Sequence, residues 1–257
     1  MTSLRPVVRC AALVGVLALL VGSVHAESLR GPCRVADAYL GLSGALTRAT
    51  ANLRQDDELK VLVVGSSSTA GVGATAPEKA YTKRLETELE DRLPGVDVEV
   101  VARGVGGETA LGAEARLDRE IAATKPDLIV WQIGTNDAAR RIDLATFQQV
   151  TERGLARIAR AGVDVALLDP QYVPQDEAGY APYLGALEAL AAKTGAPVVH
   201  RYAAMRALAK SGATDMLSAD RLHMNDIGHA CVGAFLAETL GRKLAPTPAV
   251  ADVAKRT

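Results

Sequence analysis

Aromatic side chains are scarce in this sequence, with one Trp, two Phe and six Tyr making up 4% of the chain. That scarcity argues against an extended aromatic cleft for stacking sugar rings. No charge of one sign dominates, with 29 Lys and Arg against 30 Asp and Glu, so nothing points to nucleic acid or an anionic membrane surface as a partner. The apolar run at the amino end, residues 11–24, holds 14 residues, fewer than the roughly 20 that a membrane-spanning helix needs. A phosphate-loop lysine pattern is absent. Gly104-Val105-Gly106-Gly107-Glu108-Thr109 lacks the third glycine of the dinucleotide fingerprint and follows the second predicted strand rather than the first, which disfavours a nucleotide-binding domain.

The amino end reads as an address. Arg5 and Arg9 precede the apolar run, and Val24-His25-Ala26 is a small-residue cleavage pattern, so residues 1–26 are expected to be a secretory signal peptide. Cys10 precedes the run, which argues against a lipid-modified cysteine at the cleavage site. Removing this segment takes away two basic and no acidic residues and leaves 231 residues at a net charge of −3, enough for one substantial core. The expected organisation is a 27–58 extension with one helix from Val35 to Asn52, a main domain over 59–244, and a flexible tail over 245–257. The expected location is periplasmic or secreted. In an oxidising compartment Cys33 and Cys231 are expected to pair, for about 5 kcal/mol of chain-entropy stabilisation; the alternative is a free Cys33 and a buried, apolar Cys231.

Five short runs rich in Val, Ile and Leu lie at 60–64, 96–101, 128–133, 164–168 and 197–200. Most are continuous rather than alternating, as in parallel strands covered on both faces. Helical spacing fills the intervals at 81–93, 111–124, 144–161, 180–194 and 226–240. The alternation predicts an α/β fold, a three-layer α/β/α sandwich with right-handed crossovers.

Ligand sites in open parallel sheets lie beyond the carboxyl ends of the strands. Three predicted strands end in polar, glycine-rich clusters: Gly65-Ser66-Ser67-Ser68-Thr69, then Gly104 to Thr109, then Gly134-Thr135-Asn136-Asp137. A fourth cluster, Asp220-Arg221-Leu222-His223, precedes the last helix and sets a carboxylate three residues before an imidazole. Serine needs a positioned base, and that base works best when a carboxylate fixes its tautomer. Turns with exposed N–H groups and an Asn amide suit a developing oxyanion. Each cluster alone has an ordinary reading as a turn or a cap. Their order, each at a strand end, carries the weight.

In these residues the chain resembles the SGNH hydrolases, or GDSL esterases, over about residues 60–240. The resemblance implies the flavodoxin-like SGNH fold around a mostly five-stranded parallel sheet. It implies Ser67 as nucleophile, His223 as base and Asp220 as its orienting acid, with an oxyanion hole of the Ser67 N–H, the Gly107 N–H and Asn136. Two departures stand out: Ser66 where the family usually has Asp, and Ala102 where many members carry Asn. His200 and His229 compete for the role of base, but no acid lies close before His200, and His229 falls inside the last predicted helix, where a histidine more often packs. Trp131 reads as a core aromatic, and Asp169-Pro170-Gln171 and Tyr172 as pocket lining.

The expected activity is exported hydrolysis of short-chain or carbohydrate O-acyl esters, with no metal or organic cofactor and a small-molecule or polysaccharide ester as partner. Acyl transfer, thioester or lysophospholipid hydrolysis at the same site, and a non-catalytic binding protein that keeps the fold are the rivals. The last is supported by Ser66 alone.

Overall fold

The computed structural model describes residues 29, 31–212 and 215–245. The expected signal peptide and nearly all of the expected tail lie outside the described residues. Five strands form one parallel sheet in the order β2-β1-β3-β4-β5: β1 (Glu58–Gly65), β2 (Asp97–Gly104), β3 (Leu128–Gln132), β4 (Asp164–Leu168) and β5 (Val198–Val199). This is the flavodoxin-like strand order, and its switch point lies between β1 and β3. The α/β expectation holds, because continuous apolar runs stay dry only between two helical layers: Val61, Leu62, Val63 and Val64 of β1, and Leu128 to Trp131 of β3, are completely buried.

The helices are α1 (Thr47–Asp56), α2 (Tyr81–Arg92), α3 (Ala110–Thr124), α4 (Thr135–Ala139), α5 (Leu144–Ala161), α6 (Glu177–Thr194), α7 (Arg201–Lys210) and α8 (Asp226–Leu244). Packing of α2 with α8 forms one layer, to which α1 adds, and packing of α3 with α5 and of α5 with α6 forms the other. Helix α6 begins three residues earlier than its spacing predicts, and α4 and α7 had no periodic signal of their own.

The expected helix from Val35 to Asn52 is corrected. Residues 31–46 hold two single 3-10 turns, Gly31–Cys33 and Asp37–Tyr39, and only Thr47–Asp56 is α-helical. The start of α1 is set from far away, since the Asp164 carboxylate accepts the N–H groups of Arg48 and Ala49 at 2.8 and 3.0 Å. No local pattern contains that cap. Leu40, Leu46, Ala49 and Leu53 are buried in the common core, and Cys33 is disulfide-bonded to Cys231 in α8.

Register decides where the polar clusters meet. Gly65 pairs with Gly104, Val64 with Trp131, and Trp131 with Leu167. The segments after β1, β2, β3 and β4 therefore leave the sheet at one level and on one edge.

Candidate active site

The first cluster turns sharply because β1 ends in a glycine. A Cβ at Gly65 would lie 2.2 Å from Thr69 Oγ1 and 2.5 Å from Gln132 Oε1, so only glycine lets the turn fold back onto β3. Backbone bonds from Ala70 to Ser66, Gly71 to Ser68 and Val72 to Ser67 then close residues 66–72 into a tight turn.

Ser66 stands where the resembling family usually has a carboxylate, and its surroundings fit a hydroxyl. The buried Gln132 amide accepts the Ser66 N–H at 3.0 Å and donates to Ser66 Oγ at 3.2 Å. Gln132 also accepts from Thr69 Oγ1, which bonds the Tyr81 hydroxyl at 2.7 Å. Neutral partners satisfy one another here, and burial pushes the Tyr81 hydroxyl up to about 12.

His223 arrives from a separate loop. Ser218 donates to the His223 carbonyl and Arg221 to the Ser218 carbonyl, so residues 218–223 form their own turn. Asp220 Oδ1 accepts the N–H groups of Leu222 and His223 at 3.0 and 2.9 Å, while Oδ2 lies 2.6 Å from His223 Nδ1. The imidazole contact and then these two N–H groups hold the Asp220 carboxyl down at about 2. An ionised Asp220 only accepts, which puts the ring proton on Nδ1 and leaves the Nε2 lone pair free. That nitrogen lies 3.0 Å from Ser67 Oγ. Ser67, His223 and Asp220 thus form one line of hydrogen bonds.

The oxyanion candidates also gather here. No acceptor among the described residues takes the backbone N–H of Ser67 or Gly107. Gly107 has φ +72, a conformation that glycine adopts without strain. Asn136 spends one amide hydrogen on the Glu108 carbonyl at 2.8 Å, which leaves the second available. Behind them the largely buried Arg116 guanidinium grips Glu108 at 2.5 Å and the Arg103 carbonyl at 2.9 Å. Asp137 accepts the Ala110 N–H at the start of α3, at 3.0 Å, and burial raises its carboxyl above the usual range.

Other candidates go elsewhere. His200 lies 3.3 Å from Glu188. His229 is buried, with Nδ1 accepting the Tyr81 N–H and Nε2 donating to the Val72 carbonyl, both at 3.1 Å; its role is to fasten the Ser67 turn to α2 and α8. Tyr172 packs edge-on to Tyr202 and donates to Glu177, so it belongs to packing rather than to the site's lining. Trp131 is completely buried. Among the described residues no three His, Cys, Asp or Glu side chains converge as a metal site requires, and no helix is long and apolar enough to cross a membrane.

Sequence reasoning missed Gln132, the Glu108–Arg116 pair and the structural use of His229. Gln132 had a signal: it is a lone amide inside a buried apolar run.

A family model described as a non-GDSL lipase-like family matches residues 32–246. Esterase TesA of Pseudomonas aeruginosa is 34% identical over 134 residues, which are 50% of this chain and 65% of that protein. An acetylxylan esterase of Geobacillus stearothermophilus is 26% identical over 204 residues, 70% of this chain and 93% of that one. A solved lipase/acylhydrolase from Enterococcus faecalis superposes with a TM-score of 0.64 at 26% identity, covering 74% of this chain and 100% of that one.

Proposed function

The chain belongs to the non-GDSL lipase-like family, and from that premise we propose that it is an exported serine esterase acting on short-chain or carbohydrate O-acyl esters. The observation that carries the reading is the line from Ser67 Oγ through His223 Nε2 and Nδ1 to Asp220, at 3.0 and 2.6 Å, beside N–H groups that no acceptor among the described residues takes.

In the proposed reaction Ser67 Oγ attacks the ester carbonyl carbon as its proton passes to His223 Nε2. The Ser67 and Gly107 N–H groups and the second Asn136 amide hydrogen receive the charge that develops on the carbonyl oxygen. His223 returns the proton to the leaving alkoxide oxygen, and the alcohol departs. Water then attacks the acyl-serine, with His223 taking its proton and giving it back to Ser67 Oγ. Asp220 keeps the imidazole in the required tautomer and stabilises its charged form.

Similarity to an acetylxylan esterase supports acetylated sugars as the substrate class. Export is supported by the basic-apolar-small pattern of residues 1–26 and by the Cys33–Cys231 bridge, which suits an oxidising compartment.

The test is hydrolysis of a p-nitrophenyl acyl series from acetate to long chains, with acetate release from acetylated xylo-oligosaccharides alongside. Ser67→Ala is expected to lose more than about 10³-fold in kcat, whereas Ser66→Ala retains turnover. A folded wild type that turns over no ester and resists serine-directed phosphonates would sink the reading in favour of a binding protein.

A further inference from the structure

Ser67 and His223 are 156 residues apart and ride on separate turns. A single 3.0 Å contact does not define the spacing of two loops. Asp220 does not define it either, because it sits in the same turn as His223 and moves with it. Other ties join these regions, Thr75 and Lys79 to Asp226 and His229 to the Val72 carbonyl, but all lie several residues along the chain from the reacting atoms.

Gln171 lies where a closer tie is needed. It is the third residue after β4, which leaves the sheet level with β3, and it is 2% exposed. Its backbone N–H donates to Thr135 Oγ1 at 3.0 Å, one residue before Asn136. Its side-chain Oε1 accepts from Ser68 Oγ at 3.2 Å, one residue after Ser67. Its Nε2 donates to the Leu222 carbonyl, one residue before His223. Resting on the esterase reading, we propose that Gln171 is a positioning residue for this reaction, whose planar amide sets the distance between the Ser67 and His223 turns.

The chemistry selects an amide. One end must accept from a hydroxyl and the other must donate to a carbonyl, and a glutamine does both across a rigid plane. An ionised glutamate accepts at both ends and would set a carboxylate oxygen against the Leu222 carbonyl. Burial makes an unmade bond at either end costly, so the amide is held in one orientation. Arg201 supports it from beneath, donating to the Asp169 carbonyl at 2.6 Å.

The experiment compares wild type with Gln171→Met, Gln171→Glu, Ser68→Ala and the Ser68→Ala/Gln171→Met double variant. It reads kcat and KM on p-nitrophenyl acetate, the rate of Ser67 labelling by a serine-directed phosphonate, and the pH profile of kcat/KM. Loosened spacing is expected to lower kcat in Gln171→Met by about 30-fold, with KM within about twofold and labelling slowed to match. The acid limb of the pH profile is expected to keep its midpoint, since the Asp220–His223 contact survives within its own turn. The double variant is expected to be no slower than Gln171→Met, because one tether is cut twice. An unchanged kcat, a raised KM at constant kcat, or a shifted midpoint would each overturn the proposal. If Gln171→Met does not fold, Ser68→Ala and Gln171→Glu carry the same comparison. A labelled wild type with equally fast variants defeats the positioning role alone, whereas a wild type that is not labelled defeats the esterase reading and the proposal with it.

Discussion

At the carboxyl ends of the strands Gln132, Asp137, Gln171 and His229 are buried, and each bonds a segment beside Ser67, Gly107, Asn136 or His223. At the amino ends polar groups meet in the open. Lys60 pairs with Glu99 at 2.8 Å with both side chains more than a third exposed, and Asp127 bonds the exposed Asn52 amide. Buried polar groups are costly unless partnered, and at this edge the fold bears that cost where fixed geometry is worth it. One end of this sheet is built to hold atoms still, and the other to stay wet.

The largest expected break in that contrast comes at Asn136. Asn136→Ala removes one proposed oxyanion donor and is expected to lower kcat by about 10²- to 10³-fold, while thermal unfolding shifts by only a few degrees; steady-state kinetics beside calorimetry measures both. A kcat within a few-fold of wild type would take the side chain out of the oxyanion hole.

An intermediate effect is expected from His229, whose pKa burial lowers from the ordinary 6.5. The folded state holds this imidazole neutral, while the unfolded chain takes up a proton as pH falls below about 6.5. Stability is therefore full above that pH and declines below it until the lowered folded pKa is reached, by at most about 1.4 kcal/mol per pH unit. Denaturant midpoints measured from pH 7.5 to 5 are expected to fall less steeply in His229→Gln than in wild type. Parallel slopes would mean that other groups govern acid sensitivity.

The smallest effect belongs to the opposite end. Lys60→Ala is expected to leave esterase kinetics unchanged and to move the thermal midpoint by no more than about 2 °C. A loss of turnover there would mean that the two ends are coupled and erase the distinction.

What could be read in advance follows the same division. Strands 128–133 and 164–168 announced themselves because a doubly covered strand is apolar along most of its length. That the segments of Ser67, Asn136 and His223 would meet was legible because glycine-rich polar clusters directly follow strands and an Asp-to-His cluster precedes the last helix. Gln171 entered only as possible lining, since its three bonds reach residues 135, 68 and 222 and no local period encodes them. The cap that starts α1 at Thr47 comes from Asp164 by the same long-range route.

The bridge between Cys33 and Cys231, with 198 residues of sequence separation, turns most of the molecule into a covalent ring. A protease that nicks one surface loop between those cysteines leaves both pieces attached, and the ring opens without releasing a fragment until a reductant acts. For a chain threaded through a membrane from its amino end, Cys231 emerges 198 residues after Cys33. On the proposed export, the ring can close only once every residue between the two cysteines has crossed, which makes ring closure a chemical marker that this whole segment has passed.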